Sequence, residues 1–403
     1  MFQKLVSHND DIKRLVEKGF AVAFDSNYLV IRDIPYLDEE RTLCWGTIVT
    51  KMVFKNPQHV CQHNHQIFFA GSHPYNMDGS PIGNLGGGQT KLSLSPDAVD
   101  VVVQRQFSNK PRVNGTLTGF ADFFDKIESY VGIIAGPAMA LHKANPYTFR
   151  SVQTGNDTSV FKIQDTMTSR AEITELSRKF EGEVVALIGL GGTGAYLLDF
   201  LVKTPVTEIR AFDLDLFQVH NAFRSPGKLD LNEFQRQKAE VYFHRYENFR
   251  HGLSIQPKFI DATSGEDLED VTFAFVCVDK GSSRAGIFDL LLKKKIPFID
   301  VGMGLNRKHN ALNGILRTTY YSVEDGPRVQ DRGLAELSDH PEDLYRANIQ
   351  IGELNALNAA LAVIKFKQIK GFYHDRQFVY NLLFEIADCK SAADAGFYDP
   401  SDD

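Results

Sequence analysis

From about residue 182 onward, short apolar runs alternate with longer amphipathic ones, the way a mostly parallel sheet wrapped in helices is written. The pattern predicts strands over 184–188, 208–213, 254–259, 272–277 and 296–301, and helices over 192–203, 232–248, 283–294 and 343–370. In the last helix Leu354, Leu357, Leu361 and Ile364 recur at steps of three and four, which predicts one core-facing stripe, and Gly371 supplies a stop. Residues 1–165 read differently. β-like runs over 28–32, 47–54, 66–70 and 101–104 are separated by Gly, Asn and Pro, and a helical run follows over 120–143. The expected organisation is an α+β N-terminal domain over 1–165, an α/β domain with a Rossmann-like, doubly wound, mostly parallel sheet over 166–385, and an acidic, flexible tail over 386–403.

Composition narrows the classes. A chain of 403 residues, 43% hydrophobic and 24% charged, holds enough apolar material for two or three cores, which excludes disordered and fibrous classes. Its longest apolar stretches, over 184–190 and 197–202, stop far short of a membrane helix, so no membrane partner is expected. The opening MFQKLVSHNDD turns polar within a few residues and predicts no export signal, hence a cytoplasmic protein. Cys44, Cys61, Cys277 and Cys389 form no C-x-x-C pair, so neither a disulfide framework nor a cysteine zinc site is expected. A formal net charge of -7 argues against nucleic acid as a partner.

The chemistry concentrates where the first apolar run of the α/β domain meets its first helix, at Gly189-Leu190-Gly191-Gly192-Thr193-Gly194. Glycines there permit a tight turn with backbone close to a phosphate, and the helix N-terminus favours the negative charge. Asp213, at the end of the second strand, stands where a carboxylate accepts from ribose hydroxyls. This much suits NAD or ATP. The segment that follows carries Asp215, Asn221 and Arg224, then Lys238 and, after another strand, Asp279, none of which hydride transfer requires.

This ordered set resembles the ThiF/MoeB and ubiquitin-activating superfamily of adenylating enzymes. There a GxGGxG strand–helix turn is followed by D-x-D, an N-x-x-R step, a Lys on the next helix and an Asp after a later apolar strand. The resemblance covers about residues 165–375 and implies a ThiF/MoeB-type adenylation domain using ATP and Mg²⁺. It implies activation of the C-terminal carboxylate of a ubiquitin-like or sulfur-carrier protein as an acyl-adenylate, with release of pyrophosphate. Carried over residue by residue, it assigns Gly189, Gly191, Gly192, Thr193 and Gly194 to the nucleotide turn and Asp213 to the ribose. Arg224 and Lys238 fall to the phosphates, Asn221 to positioning them, Asp279 to Mg²⁺, and Asp215 to the metal or to orienting Asn221. It also implies a homodimer in which Arg170 reaches into the partner's nucleotide site.

The sequence departs from that family in its cysteines. It lacks the two zinc-binding C-x-x-C pairs of many relatives, and the crossover segment 319–344, where thioester-forming members place a cysteine, has none. Cys277, inside an apolar strand, reads as a core residue, and Cys389 is a candidate thiol only if the tail folds back, so the adenylate is expected to pass to a thiol on another protein. In the N-terminal domain His59, Cys61, His63, His65 and His73 crowd together, and alternation places His59, His63 and His65 on one strand face, a metal reading set against ordinary hydrogen-bonded histidines. The run 66–82 looks like the His-Pro turn of ubiquitin-conjugating folds. His73-Pro74 is in place, Gly79 and Ile82 stand one residue too far apart, and Gly83 occupies the position of the active cysteine. That implies a catalytically silent partner-binding module, the alternative being a generic docking domain. Two rival readings of the whole protein are an NAD-dependent oxidoreductase, which leaves Asn221, Arg224, Lys238 and Asp279 without a role, and a non-catalytic nucleotide-binding subunit of a heterodimeric activator.

Overall fold

The computed structural model describes residues 2–95, 101–113, 115–149, 159–163, 165–171, 173–339 and 349–395. Two compact units divide the protein: Met1–Ser159 with Ile163–Glu175, and Val160–Lys162 with Leu176–Asp403.

In the first unit, helices α1 (Phe2–His8) and α2 (Asp10–Lys18) precede antiparallel strands β1 (Ala21–Asp25), β2 (Tyr28–Leu37), β3 (Leu43–Phe54), β4 (Ile67–Ala70) and β5 (Arg105–Phe107), which pair in that order. Helix α3 (Phe123–His142) lays Phe123, Ile127, Tyr130, Val131 and Ile134, spaced by threes and fours, against Leu29, Ile31, Ile48, Ile67 and Phe69 of the sheet. A lysine sits inside this core: Lys126 Nζ donates to Thr50 Oγ1 at 2.7 Å and to the Asn64 carbonyl at 2.9 Å, and burial pushes its pKa down to about 7. The strand expected over 101–104 is a coil. Val101 and Val103 do bury, against Ala23, Val30 and Val49, but the ladder to β4 begins only at Arg105, which pairs with Phe69. Helix α4 (Thr166–Ala171), which carries Arg170, packs against β1.

The second unit is built on an eight-stranded sheet. Parallel strands β6 (Val184–Ile188), β7 (Glu208–Phe212), β8 (Leu253–Gln256), β9 (Phe273–Val276) and β10 (Phe298–Lys308) lie in the order β8-β7-β6-β9-β10. Antiparallel β11 (Ala311–Tyr321), β12 (Val379–Glu385) and β13 (Lys390–Ala395) complete it beyond β10. Central β6, VVALI, is apolar throughout because both its faces are covered. Helices α5 (Gly192–Val202), α7 (Lys238–Tyr246) and α9 (Gly352–Ile369) cover one face, and α8 (Gly281–Lys293) the other. A short helix, α6 (Val219–Ala222), lies between β7 and α7. Where α5 ends, the wholly buried Arg250 donates to the carbonyls of Thr204 at 3.1 Å, Leu201 at 3.4 Å and Val206, and so holds the turn that leads from the helix toward β7.

The doubly wound sheet is as expected, with corrections. The Leu354, Leu357, Leu361 and Ile364 stripe is not the buried face of α9. Asn355, Asn358, Ala359, Ala362, Val363 and Phe366 are buried instead, and Ile364 is 44% exposed. The helix expected from residue 232 starts at Lys238, because Leu231–Glu233 forms a separate turn capped by Asp230. The strand expected to stop at 301 runs to Lys308. Beyond its last pairing with β9, at Asp300, it continues against β11, and past Gly304, where β11 no longer pairs with β12, the two form a two-stranded ribbon turned by His309 and Asn310 at φ 48° and 59°. The expected tail begins later than residue 386, since Lys390–Ala395 is the sheet's edge strand.

Candidate nucleotide site

The glycine turn lies at the carboxyl edge of the sheet, between the ends of β6 and β9, and three of its glycines are tightly enclosed, Gly189 and Gly194 by backbone and Gly192 by the Asn355 side chain. Gly189 has φ 97°, and a Cβ there would stand 2.6 Å from the Cys277 carbonyl oxygen. At Gly194 a Cβ would come within 2.0 Å of the Gly189 carbonyl oxygen, and at Gly192 within 2.2 Å of Asn355 Nδ2. Gly191 has open space where its Cβ would be, so no packing within the protein demands a glycine there.

Asp213 ties the turn to the next strand. Its carboxylate accepts from the Leu190 N–H at 2.7 Å and from the Asp215 N–H at 2.9 Å. Lys238, buried at the start of α7, places Nζ 2.7 Å from Asp215 Oδ2 and 3.4 Å from Asp213 Oδ1. Burial pushes the Asp213 carboxyl above its ordinary value; Lys238 and the two backbone N–H groups pull the other way. Lys238, expected on the phosphates, therefore engages the two acids.

Asn221 is buried and its Oδ1 accepts from the Gln218 N–H at 2.7 Å, so it caps α6 and sets the path of the backbone into Arg224. Arg224 Nε is buried without a hydrogen-bond partner. The main chain of Arg224 is held by α9: Asn355 Nδ2 donates to its carbonyl at 3.5 Å, while Asn355 Oδ1 accepts from Thr193 Oγ1 at 2.9 Å. Asn355 thus joins the glycine turn to the arginine segment, a role the sequence reading missed. The polar pair Asn355 and Asn358 among small apolar residues was the available signal.

Asp279 is exposed two residues beyond Cys277, and both its carboxylate oxygens face Gln350 Nε2 at 3.4 Å. The preceding residue is anchored from below, where Arg284 donates to the Val278 carbonyl at 2.5 Å and pairs with the wholly buried Asp300 at 3.1 Å. Cys277 packs beneath Gly194, and burial pushes its thiol well up, as suits a core residue. The Arg170 side chain lies outside the described residues, as do residues 340–344 of the crossover segment. In the N-terminal unit the described histidines and cysteines form no group of three with metal-binding proximity; His65 bonds Ser108 Oγ at 2.9 Å and His59 bonds Asn56 Oδ1 at 3.1 Å.

A doubly wound sheet with a strand–glycine–helix turn at its carboxyl edge, an acid closing the neighbouring strand and cations on the following segment defines the α/β class that receives a nucleotide's phosphates. The ThiF family matches residues 168–320, and that part of the protein is a ThiF-family domain; residues 10–166 match a domain of unknown function, DUF6791. No curated protein matches the sequence. Among solved structures it is similar to E. coli MccB with AMPCPP and MccA, at 15% identity over 59% of this chain and 73% of that one, TM-score 0.44. It is also similar to E. coli MccB with ATP, at 14% over 59% and 73%, TM-score 0.43. A third is PaaA, at 16% over 55% and 75%, TM-score 0.41. No helix among the described residues is long and apolar enough to cross a membrane.

Proposed function

We propose that this protein is an ATP-dependent adenylyltransferase that activates the C-terminal carboxylate of a peptide or small carrier protein, of the ubiquitin-like or sulfur-carrier kind, as an acyl-adenylate. The observation that carries the reading is Arg224, a cation with a buried, unpartnered Nε on a segment tied through Asn355 to the glycine turn. A buried guanidinium N–H without an acceptor, on a segment tied to that turn, calls for an anion.

The turn's backbone N–H groups take the phosphates, and Asp213 accepts from the ribose. As the acyl carboxylate attacks the α-phosphorus and pyrophosphate leaves, negative charge grows on the phosphoryl oxygens, and Arg224 stabilises it. Lys238 holds Asp213 and Asp215 in register and adds positive charge on that side. Asp279 and Asp215 are exposed carboxylates suited to Mg²⁺, which takes one or two carboxylates plus substrate phosphates, so the absence of a three-ligand cluster among the described residues is no obstacle. Mg²⁺ bound there would neutralise phosphate charge.

Homodimerisation fits the same segment, because Leu214, Leu216, Val219, Phe223, Leu229 and Leu231 expose apolar surface beside the site and Phe223 is 83% exposed. The N-terminal unit is proposed as a docking module. Its His73–Gly83 turn, closed by the Ile82 N–H on the Pro74 carbonyl at 3.1 Å, carries no thiol. ATP–pyrophosphate exchange, run with carriers ending in Gly-Gly, tests the function. Carrier-dependent exchange is expected, and Arg224→Ala or Asp279→Ala protein with near-normal exchange would remove the assignment.

A further inference from the structure

Among the described residues of the second unit, four side chains bury a polar atom without a partner: Arg224 Nε, Gln237 Oε1, Asn313 Oδ1 and Gln350 Oε1. Three of these belong to the site's own segments, since Gln237 immediately precedes Lys238 and Gln350 lies against Asp279. Buried polar atoms are normally paired, and orphans that border a ligand site await the ligand's complementary groups. Gln350 is the most informative of them. Its Nε2 end is fixed by the Asp279 carboxylate, which leaves Oε1 as an acceptor, and an acceptor needs a donor.

Sheet order limits what that donor is. Asp213 closes β7 and Asp279 follows β9, so the two flank the glycine turn at the end of β6 from opposite sides. With the ribose on the Asp213 side and the phosphates and their Mg²⁺ over the turn, as proposed above, the acyl donor is left to approach the α-phosphorus from beyond Asp279, where Gln350 lies. Phosphates and carboxylates offer no hydrogen to an amide oxygen, whereas the peptide N–H next to a C-terminal carboxylate does. We propose that Gln350 recognises the acyl donor as a peptide. Its Oε1 accepts from the N–H of the residue bearing the reacting carboxylate, while Nε2 holds Asp279. The inference rests on the adenylation reading. It makes Gln350 a specificity residue that favours the C-terminus of a peptide over a carboxylic acid lacking that N–H.

The test pairs two probes with two proteins. The probes are a labelled peptide ending in Gly-Gly and its analogue with the last glycine replaced by glycolate, which exchanges that N–H for an ester oxygen. Binding is followed by fluorescence anisotropy with Mg²⁺ and the ATP analogue AMPCPP, for the full-length wild-type protein and for Gln350→Leu. The wild type should bind the ester about tenfold more weakly than the peptide, a difference of about 1.4 kcal/mol, and the variant should bind both alike. Equal binding of the two probes by the wild type overturns the inference without recourse to any variant. So does a discrimination that persists in Gln350→Leu, or no binding of either probe. Discriminating binding with no pyrophosphate exchange would instead sustain Gln350's role and remove the adenylation reading.

Discussion

Replacing Gly194 with alanine would set a methyl carbon 2.0 Å from the carbonyl oxygen of Gly189, a main-chain atom with no side-chain freedom to move aside. That contact is at least about 1 Å too short, and core overpacking of this kind costs about 1–3 kcal/mol. With backbone on the opposing side, the upper end applies. In a unit of this size, about 3 kcal/mol lowers Tm by roughly 6–12 °C. Gly191→Ala is the matched control. Its Cβ meets nothing within 4 Å and its φ is -67°, so stability should stay within about 0.5 kcal/mol of wild type. If the phosphates rest on the turn as proposed, the same methyl group would crowd them. At an ATP concentration of about 100 Kd the wild type gains about 2.7 kcal/mol on binding, and a hundredfold loss of affinity cuts this to about 0.4 kcal/mol. Thermal unfolding with and without ATP and Mg²⁺ therefore separates the variants: Gly194→Ala melts early without ligand, whereas Gly191→Ala melts normally and loses the ligand shift. A full ATP shift in Gly191→Ala would refute the placement of the phosphates, and wild-type melting of Gly194→Ala would refute the packing argument.

Thermal shift should be large with ATP plus Mg²⁺ and small with NAD; the reverse order would restore the oxidoreductase reading. Lys126 makes the N-terminal unit pH-sensitive. With its folded pKa near 7 and its ordinary value 10.5, the unfolded state holds a proton that the folded one releases between those limits. Stability therefore rises with pH across that window and levels off below it, by up to about 2.7 kcal/mol from pH 7 to 9. Lys126→Met should abolish that increment, measured as the difference between urea midpoints at the two pH values, and an unchanged slope would contradict burial as the cause. Arg250→Ala removes a buried guanidinium that bonds the Leu201, Thr204 and Val206 carbonyls and should cost about 3–5 kcal/mol in denaturant unfolding, with a loss under 1 kcal/mol counting against its role in holding that turn. Mixing the protein with ATP and an exchange-active carrier should give no reductant-sensitive adduct, because Cys277 is packed under the turn. A band lost in Cys389→Ala would show that the exposed thiol between β12 and β13 is the acceptor.

The sheet was legible wherever burial on both faces left no choice of side chain. β6 is a run of apolar residues closed by a glycine at positive φ, and β9 is another apolar run, FAFV, so both strands and the turn between strand and helix follow from the letters. The acids and cations of the site were legible for a different reason, since each keeps a fixed place at a strand end or helix start. What failed was the reading of β10 and of α9. Gly302 looks like a strand breaker, yet it permits close approach, since the Arg317 guanidinium lies within 3.0 Å of where its Cβ would be. In α9 the leucine period picks out the wrong face, and the cause is the site itself. The helix starts beside Arg224 and runs past the glycine turn, so its inner face must meet Gly192, the Thr193 hydroxyl and the Gly302 carbonyl, which Asn358 reaches at 3.1 Å. Those neighbours are backbone and hydroxyl groups that leucine would leave unsatisfied. Asparagine answers them, alanine at 359 and 362 lets the helix settle onto the sheet, and the leucines are displaced toward the outer faces. A helix that supports a phosphate turn therefore inverts the hydrophobic rule over its first half, and such an inversion, an Asn-x-x-Asn pair ahead of small residues, points to the site that periodicity alone conceals.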